Sequence, residues 1–161
     1  MAVDYFLKIE GVSGEATDAV HKGAIPIESF SWGATQQGGF GGGGGGGAGK
    51  VAMQDFHFTT RYSNASIHLF ASCATGEHLK KAQLFCRKAG GKQEEFLQID
   101  LTNVLVSSYQ TGGSAGMDII PMDQVSLSFQ KIEFVYKGQK ADGSLAGPVK
   151  SGYDLAVNKK I

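Results

Sequence analysis

Charged residues are scarce in this sequence, and the two signs cancel. They make up 19% of the 161 residues, with 15 Lys and Arg against 15 Asp and Glu. A chain without net charge has no long-range field to attract nucleic acid or an acidic membrane, so neither partner is expected. It also lacks the mutual repulsion that keeps many proteins apart, which permits self-association.

Long apolar runs and sorting signals are missing as well. No stretch approaches the 18 or so consecutive apolar residues of a membrane-spanning helix. The first residues alternate polar and apolar side chains, without the basic and apolar segments of a secretory signal peptide. We therefore expect no membrane insertion. We also expect the protein to be made in the cytoplasm, so that its export would require another machine.

Cysteine and histidine form no metal-binding pattern. Cys73 and Cys86 lie in apolar segments and are typical of small buried side chains; the spacing leaves open whether they pair. Of the four histidines, none belongs to a metal-binding motif, and we expect His21 and His68 at surface or capping positions. No motif unites an acid, a base and a nucleophile. The sequence therefore predicts no enzymatic activity, no cofactor and no metal.

Glycine, by contrast, is abundant and concentrated between residues 38 and 49. The segment from Gly44 to Lys50 satisfies the phosphate-binding pattern G-x-x-x-x-G-K. Val51 then replaces the required hydroxyl residue, and a strand pattern follows where a helix should begin. Ordering such a loop costs about 1–2 kcal/mol per residue. We therefore expect a long glycine-rich loop, ordered in part only against a neighbour, and no nucleotide site.

Alternation of apolar and polar residues dominates the rest of the chain and predicts strands. The predicted strands cover residues 3–9, 24–33, 50–61, 82–88, 94–109, 124–136 and 150–158. In the second strand, Ile25 and Ile27 share a face with Ser29 and Ser31. The alternation slips between Phe129 and Ile132, which predicts a β-bulge near residues 130–131.

One short helix is predicted at about residues 65–75. Ser63 or Asn64 supplies an N-cap, Ile67 and Phe70 recur at helical spacing, and Gly76 ends the helix. Many strands, one helix and no alternation of strands with helices indicate a mainly β protein. We expect a two-sheet antiparallel β-barrel or sandwich in a single domain, residues 1–161.

Several stretches together resemble the Hcp (haemolysin-coregulated protein) family, the tube protein of the bacterial type VI secretion system. They are DYFLKIEG at 4–11, IPIESFSWG at 25–33, QDFHFT at 54–59, CATGEH at 73–78, RKAGG at 87–91, VLVSS at 104–108 and KIEF at 131–134. The matches occur in order along nearly the whole chain. The long glycine tract departs from the family.

The resemblance implies a β-barrel that assembles into a homohexameric ring, with rings stacked head to tail in a tube. A contractile sheath would surround the tube and a spike protein, VgrG, would tip it. Contraction would expel the tube from the cytoplasm to the exterior without a signal peptide, and small effector proteins would travel in the lumen.

The residues of this chain suggest where such contacts lie. We expect Ser29 and Ser31 to face the lumen and contact effectors, with Phe30 and Trp32 packed into the barrel; the opposite arrangement would place Trp32 in the lumen. Two loops, 36–50 and 89–92, are expected to carry ring stacking. Their predicted contact residues are Gln36, Gln37, Phe40, Lys50, Gly90, Gly91 and Lys92.

Two other interpretations are open at this stage. A ring-forming adaptor or effector chaperone that seldom builds long tubes would suit the glycine loop, because a floppy loop weakens stacking. A small β-barrel hydrolase or lectin would require a cluster of catalytic or sugar-binding residues, and no such cluster is visible in the sequence.

Overall fold

The computed structural model describes residues 3–36, 51–88, 94–116 and 120–161. Within them the chain forms strands joined by turns, and a single helix. The elements are β1 (Val3–Ile9), β2 (Ile25–Ser31), β3 (Ala34–Thr35), β4 (Ala52–Met53), β5 (Phe56–Arg61), α1 (Asn64–Thr75), β6 (His78–Lys88), β7 (Glu95–Gly112), β8 (Met122–Tyr136), β9 (Val149–Asp154) and β10 (Lys159–Lys160). No described helix is long and apolar enough to cross a membrane.

The strands form a closed antiparallel barrel. The order is β10-β9-β8-β5-β2-β1-β6-β7, and pairing of β7 with β8 closes six of these strands into a ring. The long strand β8 pairs with β5 along Met122–Leu127 and with β9 along Lys131–Tyr136, while its other edge pairs with β7. The mainly β barrel with one helix predicted from the sequence is therefore confirmed.

The barrel interior is filled by the apolar residues that alternate along each strand. Leu7 of β1, Phe56 and Phe58 of β5, and Ile132 of β8 are each at most 1% exposed. Successive strand side chains point to opposite faces, so one face of each strand supplies the core. This interior is one continuous apolar cluster that also includes residues of α1.

Two predicted strands are shorter than expected. The segment predicted as one strand, 50–61, contains β4 and β5 separated by Gln54 and Asp55. The predicted last strand, 150–158, ends early as β9 at Asp154, and the chain then turns through Asn158, whose φ is 50°, into β10. Because the turn reverses the chain, Val157 does not continue the face of Tyr153 and is 65% exposed.

Strand β2 changes face halfway along. The pairing of β2 with β5 shifts register between Ile27 and Ser29. Ile25 and Ile27 are buried, whereas Ser29 and Ser31 are exposed and Phe30 packs against the core. The prediction that both isoleucines and both serines share one face is wrong, because a bulge reverses the side-chain alternation.

The slip between Phe129 and Ile132 has a different cause from the predicted bulge. Val104 pairs with Phe129 and Thr102 pairs with Lys131, so the register of β7 with β8 is the same on both sides of residue 130. Asn103 has a φ of 54°, in the left-handed region. The bulge predicted near residues 130–131 is therefore wrong: the alternation slips where β7 kinks.

Helix α1 occupies the predicted place. The backbone N–H of Ser63 donates to Ser66 Oγ at 3.0 Å, which satisfies one donor at the start of the helix. Gly76 ends the helix with a φ of 68°, and its N–H donates to the Ser72 carbonyl at 3.0 Å. Glycine adopts this left-handed conformation without a Cβ penalty.

The face that α1 buries differs from the predicted one. The helix buries Ala65 and Leu69 in the main core, whereas Ile67 and Phe70 are each 58% exposed. Helical spacing indicated one stripe that contains Ile67 and Phe70, but the helix turns Ala65 and Leu69 toward the barrel instead. Spacing shows which residues share a side of a helix and does not show which side meets the core.

A second, smaller core lies outside the barrel and encloses a histidine. His21 is 2% exposed, so its expected surface position is wrong. Its ring stacks on Phe6 and lies 4.7 Å from the ring of Phe85, centroid to centroid. Its Nε2 lies 2.5 Å from Glu95 Oε1. This arrangement attaches the loop before β2 to the start of β7.

Gly14 lies where the loop before β2 folds back on itself. A Cβ at this position would lie 2.2 Å from the carbonyl oxygen of Ala24, which is backbone and cannot rotate away. We expect Gly14→Ala to lower the free energy of unfolding by about 2–3 kcal/mol, measured by urea denaturation. Gly147→Ala, where a Cβ meets nothing within 4 Å, is the matched control. Equal stability of the two variants would contradict this close approach.

Arg87 is the buried cation of the smaller core and is only 4% exposed. Its guanidinium donates two hydrogen bonds to Asp18, at 3.0 and 2.7 Å, and lies over the ring of Phe6. The hydrogen bond from Arg87 and two backbone N–H groups hold the pKa of Asp18 well below its ordinary value. The ion pair therefore favours folding whenever Asp18 is ionised.

The Asp18–Arg87 pair predicts a loss of stability in acid. An unfolded Asp takes up its proton near pH 3.9. Folded Asp18 takes it up only at much lower pH, so its contribution is complete above about pH 5 and declines as the pH falls further. The unchanged protein should have a lower urea midpoint at pH 3 than at pH 6, and we expect this difference to be smaller in Asp18→Asn. An unchanged difference would contradict the role of this carboxylate.

Candidate functional surface

Four adjacent strands carry two rows of uncharged polar side chains on the outside of the barrel. Each row crosses β2, β5, β8 and β7 in that order, through directly paired positions. The first row is Ser31, His57, Ser126 and Ser108. The second row is Ser29, Thr59, Gln124 and Gln110. We call these eight residues the polar wall.

Neighbouring side chains of the polar wall bond to one another across the strands. Ser29 Oγ lies 2.7 Å from Thr59 Oγ1, and His57 Nδ1 lies 2.6 Å from Ser126 Oγ. Hydroxyl pairs across a sheet add a few tenths of a kcal/mol to about 1 kcal/mol each. These contacts join four of the eight side chains in pairs across the strands.

Charged side chains that neighbour the polar wall in sequence have hydrogen-bonding partners. Asp55 accepts a hydrogen bond from Ser107 Oγ at 2.6 Å, and Arg61 pairs with Glu28 at 3.1 Å. Asp123 belongs to β8 but points to the opposite side of the sheet, where it is fully buried. The wall itself is a surface of hydroxyl, amide and imidazole groups, without Asp, Glu, Lys or Arg.

An open depression of about 440 Å³ lies over the polar wall. Its floor is the sheet itself, with Phe30, Phe58 and Val125 between the polar side chains. Such a surface can exchange hydrogen bonds with a polar partner. It presents no formal anion or cation at its centre that would select a charged ligand.

The thiol closest in sequence to a cation is not reactive in this fold. Cys86 is fully buried in the barrel, and burial raises the pKa of its thiol to about 12. A thiol in this state is almost entirely protonated at neutral pH and is a poor nucleophile. Both cysteines are free, so Cys73 and Cys86 do not pair.

The predicted contact residues separate into two groups. Ser29 and Ser31 are exposed and lie in the polar wall. Gln36 is exposed beyond β3. The other predicted stacking residues, Gln37, Phe40, Lys50, Gly90, Gly91 and Lys92, lie outside the described residues.

Sequence reasoning missed six members of the polar wall. They come from β5, β7 and β8 and are His57, Thr59, Ser108, Gln110, Gln124 and Ser126. Their signal was present, because each pair lies two residues apart in a strand and so shares a face. The pairing of β5 between β2 and β8, which joins these faces, cannot be read from spacing alone.

The sheet of β2, β5, β8 and β7 has two edges, one on β2 and one on β7. Part of each edge has no strand partner among the described residues. Strand β2 pairs with β1 only along Ile25–Ile27, so Ser29–Ser31 pairs with β5 alone. Strand β7 pairs with β6 only as far as Leu105, so the stretch 106–112 pairs with β8 alone. Unpaired strand edges present rows of free N–H and C=O groups that can bind another strand.

A buried carboxylate secures α1 against the inner side of this sheet. Asp123 is 0% exposed and accepts hydrogen bonds from Ser66 Oγ and from the Tyr109 hydroxyl, the latter at 3.2 Å. Burial and the nearby carboxylate raise the pKa of Tyr109. Ser66 also accepts the N–H of Ser63, so the start of α1, β7 and β8 are joined by one hydrogen-bonded group.

Comparison with known proteins places the chain among proteins of one secretion system. A family model described as "Type VI secretion system effector, Hcp" matches residues 6–136. The chain is 46% identical to protein hcp1 of Pseudomonas aeruginosa over 160 residues, which is 98% of each chain. The similarity therefore covers the barrel, the helix and the polar wall together.

Solved structures agree with this similarity. Hcp1 from Salmonella typhimurium superposes with a TM-score of 0.81 at 32% identity over the full length of both chains. A structure described as a type six secretion system protein gives a TM-score of 0.91 at 29% identity, covering 99% of this chain and all of that one. The chain belongs to the Hcp family of type VI secretion system proteins.

Proposed function

We propose that this protein is the ring-forming subunit of the inner tube of a type VI secretion system. Hcp proteins are structural, secreted components of this system rather than a family of enzymes. Six copies would form a ring, and rings would stack head to tail into a tube. Contraction of a surrounding sheath would expel the tube from the cytoplasm, tipped by a spike protein, with small effector proteins in the lumen.

The observation that carries this proposal is the pair of open edges of the four-stranded sheet that carries the polar wall. The order β2-β5-β8-β7 contains three antiparallel steps, so β2 and β7 run in opposite directions. Rotation about an axis along the strands preserves strand direction. The β2 edge of one copy would then lie antiparallel to the β7 edge of the next, and the sheet would continue from subunit to subunit.

A closed ring requires a heterologous interface, in which two different surfaces of the same chain meet. The β2 and β7 edges are two such surfaces, at opposite sides of one sheet. When a sheet curls into a ring, one of its faces lines the interior. We assign the polar wall to that interior, because the opposite face carries the apolar barrel core and α1.

A lumen lined by the polar wall would suit a carrier. Apart from the buried Ser126, each copy would offer the same polar side chains of the wall, so a cargo protein would meet repeated weak hydrogen-bonding sites. Several weak sites acting together give useful affinity and still allow release. Ser29 and Ser31 lie at the edge of this wall and remain the proposed effector contacts.

Light scattering on a size-exclusion column, with electron microscopy of the peak, tests the proposal. We expect a mass of about six subunits and ring-shaped particles with a central hole. A monomer at every concentration would refute the proposed ring. Stacked rings would support a tube subunit, whereas isolated rings at every concentration would refute tube formation and indicate an adaptor.

A further inference from the structure

The exposed side of α1 is unusual for a surface helix. Helices at a protein surface ordinarily place charged residues on the side away from the core. The segment 62–76, which contains α1, has no Asp, Glu, Lys or Arg. Its outer side carries Ile67 and Phe70, each 58% exposed, together with the exposed Ala71 and Ala74. We call these four residues the helix stripe.

The helix stripe lies beside the open edge of β7. The ring of Phe70 contacts the ring of Tyr109 at a centroid distance of 6.1 Å. Tyr109 is on the stretch of β7 that has no partner on the β6 side among the described residues. The exposed apolar side of the helix therefore meets the partly buried Tyr109 at the strand edge.

The opposite edge of the same sheet carries a matching aromatic pair. Phe30 of β2 and Tyr109 of β7 belong to one row of paired positions, through Phe58 and Val125. Both side chains therefore lie on the face opposite the polar wall. The ring of Phe30 contacts that of Tyr5 at 5.3 Å, edge to face.

The amount of surface that a ring contact needs supports a role for the helix. A specific interface usually buries about 800 Å² on each partner. The open edge of β2 is only Ser29–Ser31, which is too short to supply that area by backbone pairing. A large aromatic side chain buries about 150–250 Å². The helix stripe can supply much of the remainder.

Charge is also absent from both surfaces. Residues 29–36 and 101–116 contain no Asp, Glu, Lys or Arg, like the segment that holds α1. The buried centre of a protein interface is typically depleted of charged residues and enriched in aromatic ones. The two edges and the helix stripe share this composition, although charged residues surround them in sequence.

We infer that the helix stripe binds a second copy of this chain. Phe70 and Tyr109 of one copy contact Tyr5 and Phe30 beside the β2 edge of the next. This inference rests on the proposed ring and adds to it the apolar contact that stabilises the edge-to-edge pairing. Aromatic anchors beside a strand edge are the kind of residue that carries most of an interface's affinity.

Phe70→Glu tests the inference, because the exposed side chain can change without disturbing the barrel core. We expect the concentration at which rings dissociate to rise by tenfold or more, with an unchanged urea midpoint for the dissociated chain. The control is Val20→Glu, since Val20 is 66% exposed and lies away from both edges. Rings of Phe70→Glu that dissociate like those of the control would overturn the inference and leave the proposed ring intact.

A photoreactive phenylalanine analogue at position 70 identifies the chain and the segment that contact the helix stripe. We expect crosslinks between chains that join position 70 to a peptide within residues 3–33. Crosslinks confined to one chain, or to any other segment, would overturn the inference. Because the mass of the unirradiated sample reports ring formation separately, a missing crosslink in an intact ring is distinguishable from a failure to assemble.

Discussion

Replacing Asp123 with Ala should lower the free energy of unfolding by about 3 kcal/mol or more. Asp123 is 0% exposed and accepts hydrogen bonds from Ser66 and Tyr109. Its removal leaves the buried Ser66 hydroxyl and the partly buried Tyr109 hydroxyl without that acceptor, and an unsatisfied buried polar group costs about 1–3 kcal/mol. It also frees the start of α1 from β8. Urea denaturation at neutral pH measures the loss.

The size of the loss depends on burial, so an exposed carboxylate is the appropriate control. Asp142 is exposed and accepts two hydrogen bonds from Ser144 within its own turn. Asp142→Ala should therefore cost much less than Asp123→Ala. A loss below 1 kcal/mol for Asp123→Ala would contradict the account of how α1 is held. Because α1 carries the helix stripe, we also expect Asp123→Ala to weaken ring assembly.

Like charges at the two ends of the polar wall should weaken ring formation. Ser31 and Ser108 are the terminal members of one row, at the β2 edge and the β7 edge. In the proposed ring, Ser108 of one copy approaches Ser31 of the next. In the Ser31→Glu, Ser108→Glu double variant, each junction therefore brings two carboxylates together. We expect the dissociation concentration to rise by about tenfold to a hundredfold.

A double variant with opposite charges at the same two positions is the control. Ser31→Lys with Ser108→Glu makes the same number of changes at the same positions but places opposite charges at each junction. Its rings should dissociate at a concentration close to that of the unchanged protein. Added salt should narrow the difference between the two double variants, because it screens exposed charges. Equal assembly of the two at low salt would contradict the pairing of β2 with β7.

Local patterns identified most elements of this fold. The alternation in β1, β6 and β8 and the capping residues around α1 are properties of neighbouring residues, which a sequence displays directly. The barrel class follows from many strands without intervening helices. The faces were harder to predict, because one inserted residue in β2 and one left-handed residue, Asn103, reverse the alternation. Neither feature changes the local composition, so the sequence pattern gives no sign of either one.

The remaining errors come from contacts distant in sequence. His21 is buried because Phe6, Phe85 and Glu95 surround it, and these come from three different strands. Ile67 is exposed because α1 turns Ala65 and Leu69 toward the barrel core instead. Likewise, Ser29 and Ser31 could be identified as surface residues, but their six companions in the polar wall required knowledge of strand order.

Hydrogen exchange of the strand-edge amides measures directly whether the β2 and β7 edges pair between copies. We expect Ser29–Ser31 and residues 106–112 to exchange more slowly in the assembled protein than in the dissociated Phe70→Glu chain. Protection should appear at both edges over the same concentration range, because each edge is the other's partner. If the protein forms rings but either edge exchanges as fast in the ring as in the dissociated chain, then β7 of one copy does not pair with β2 of the next.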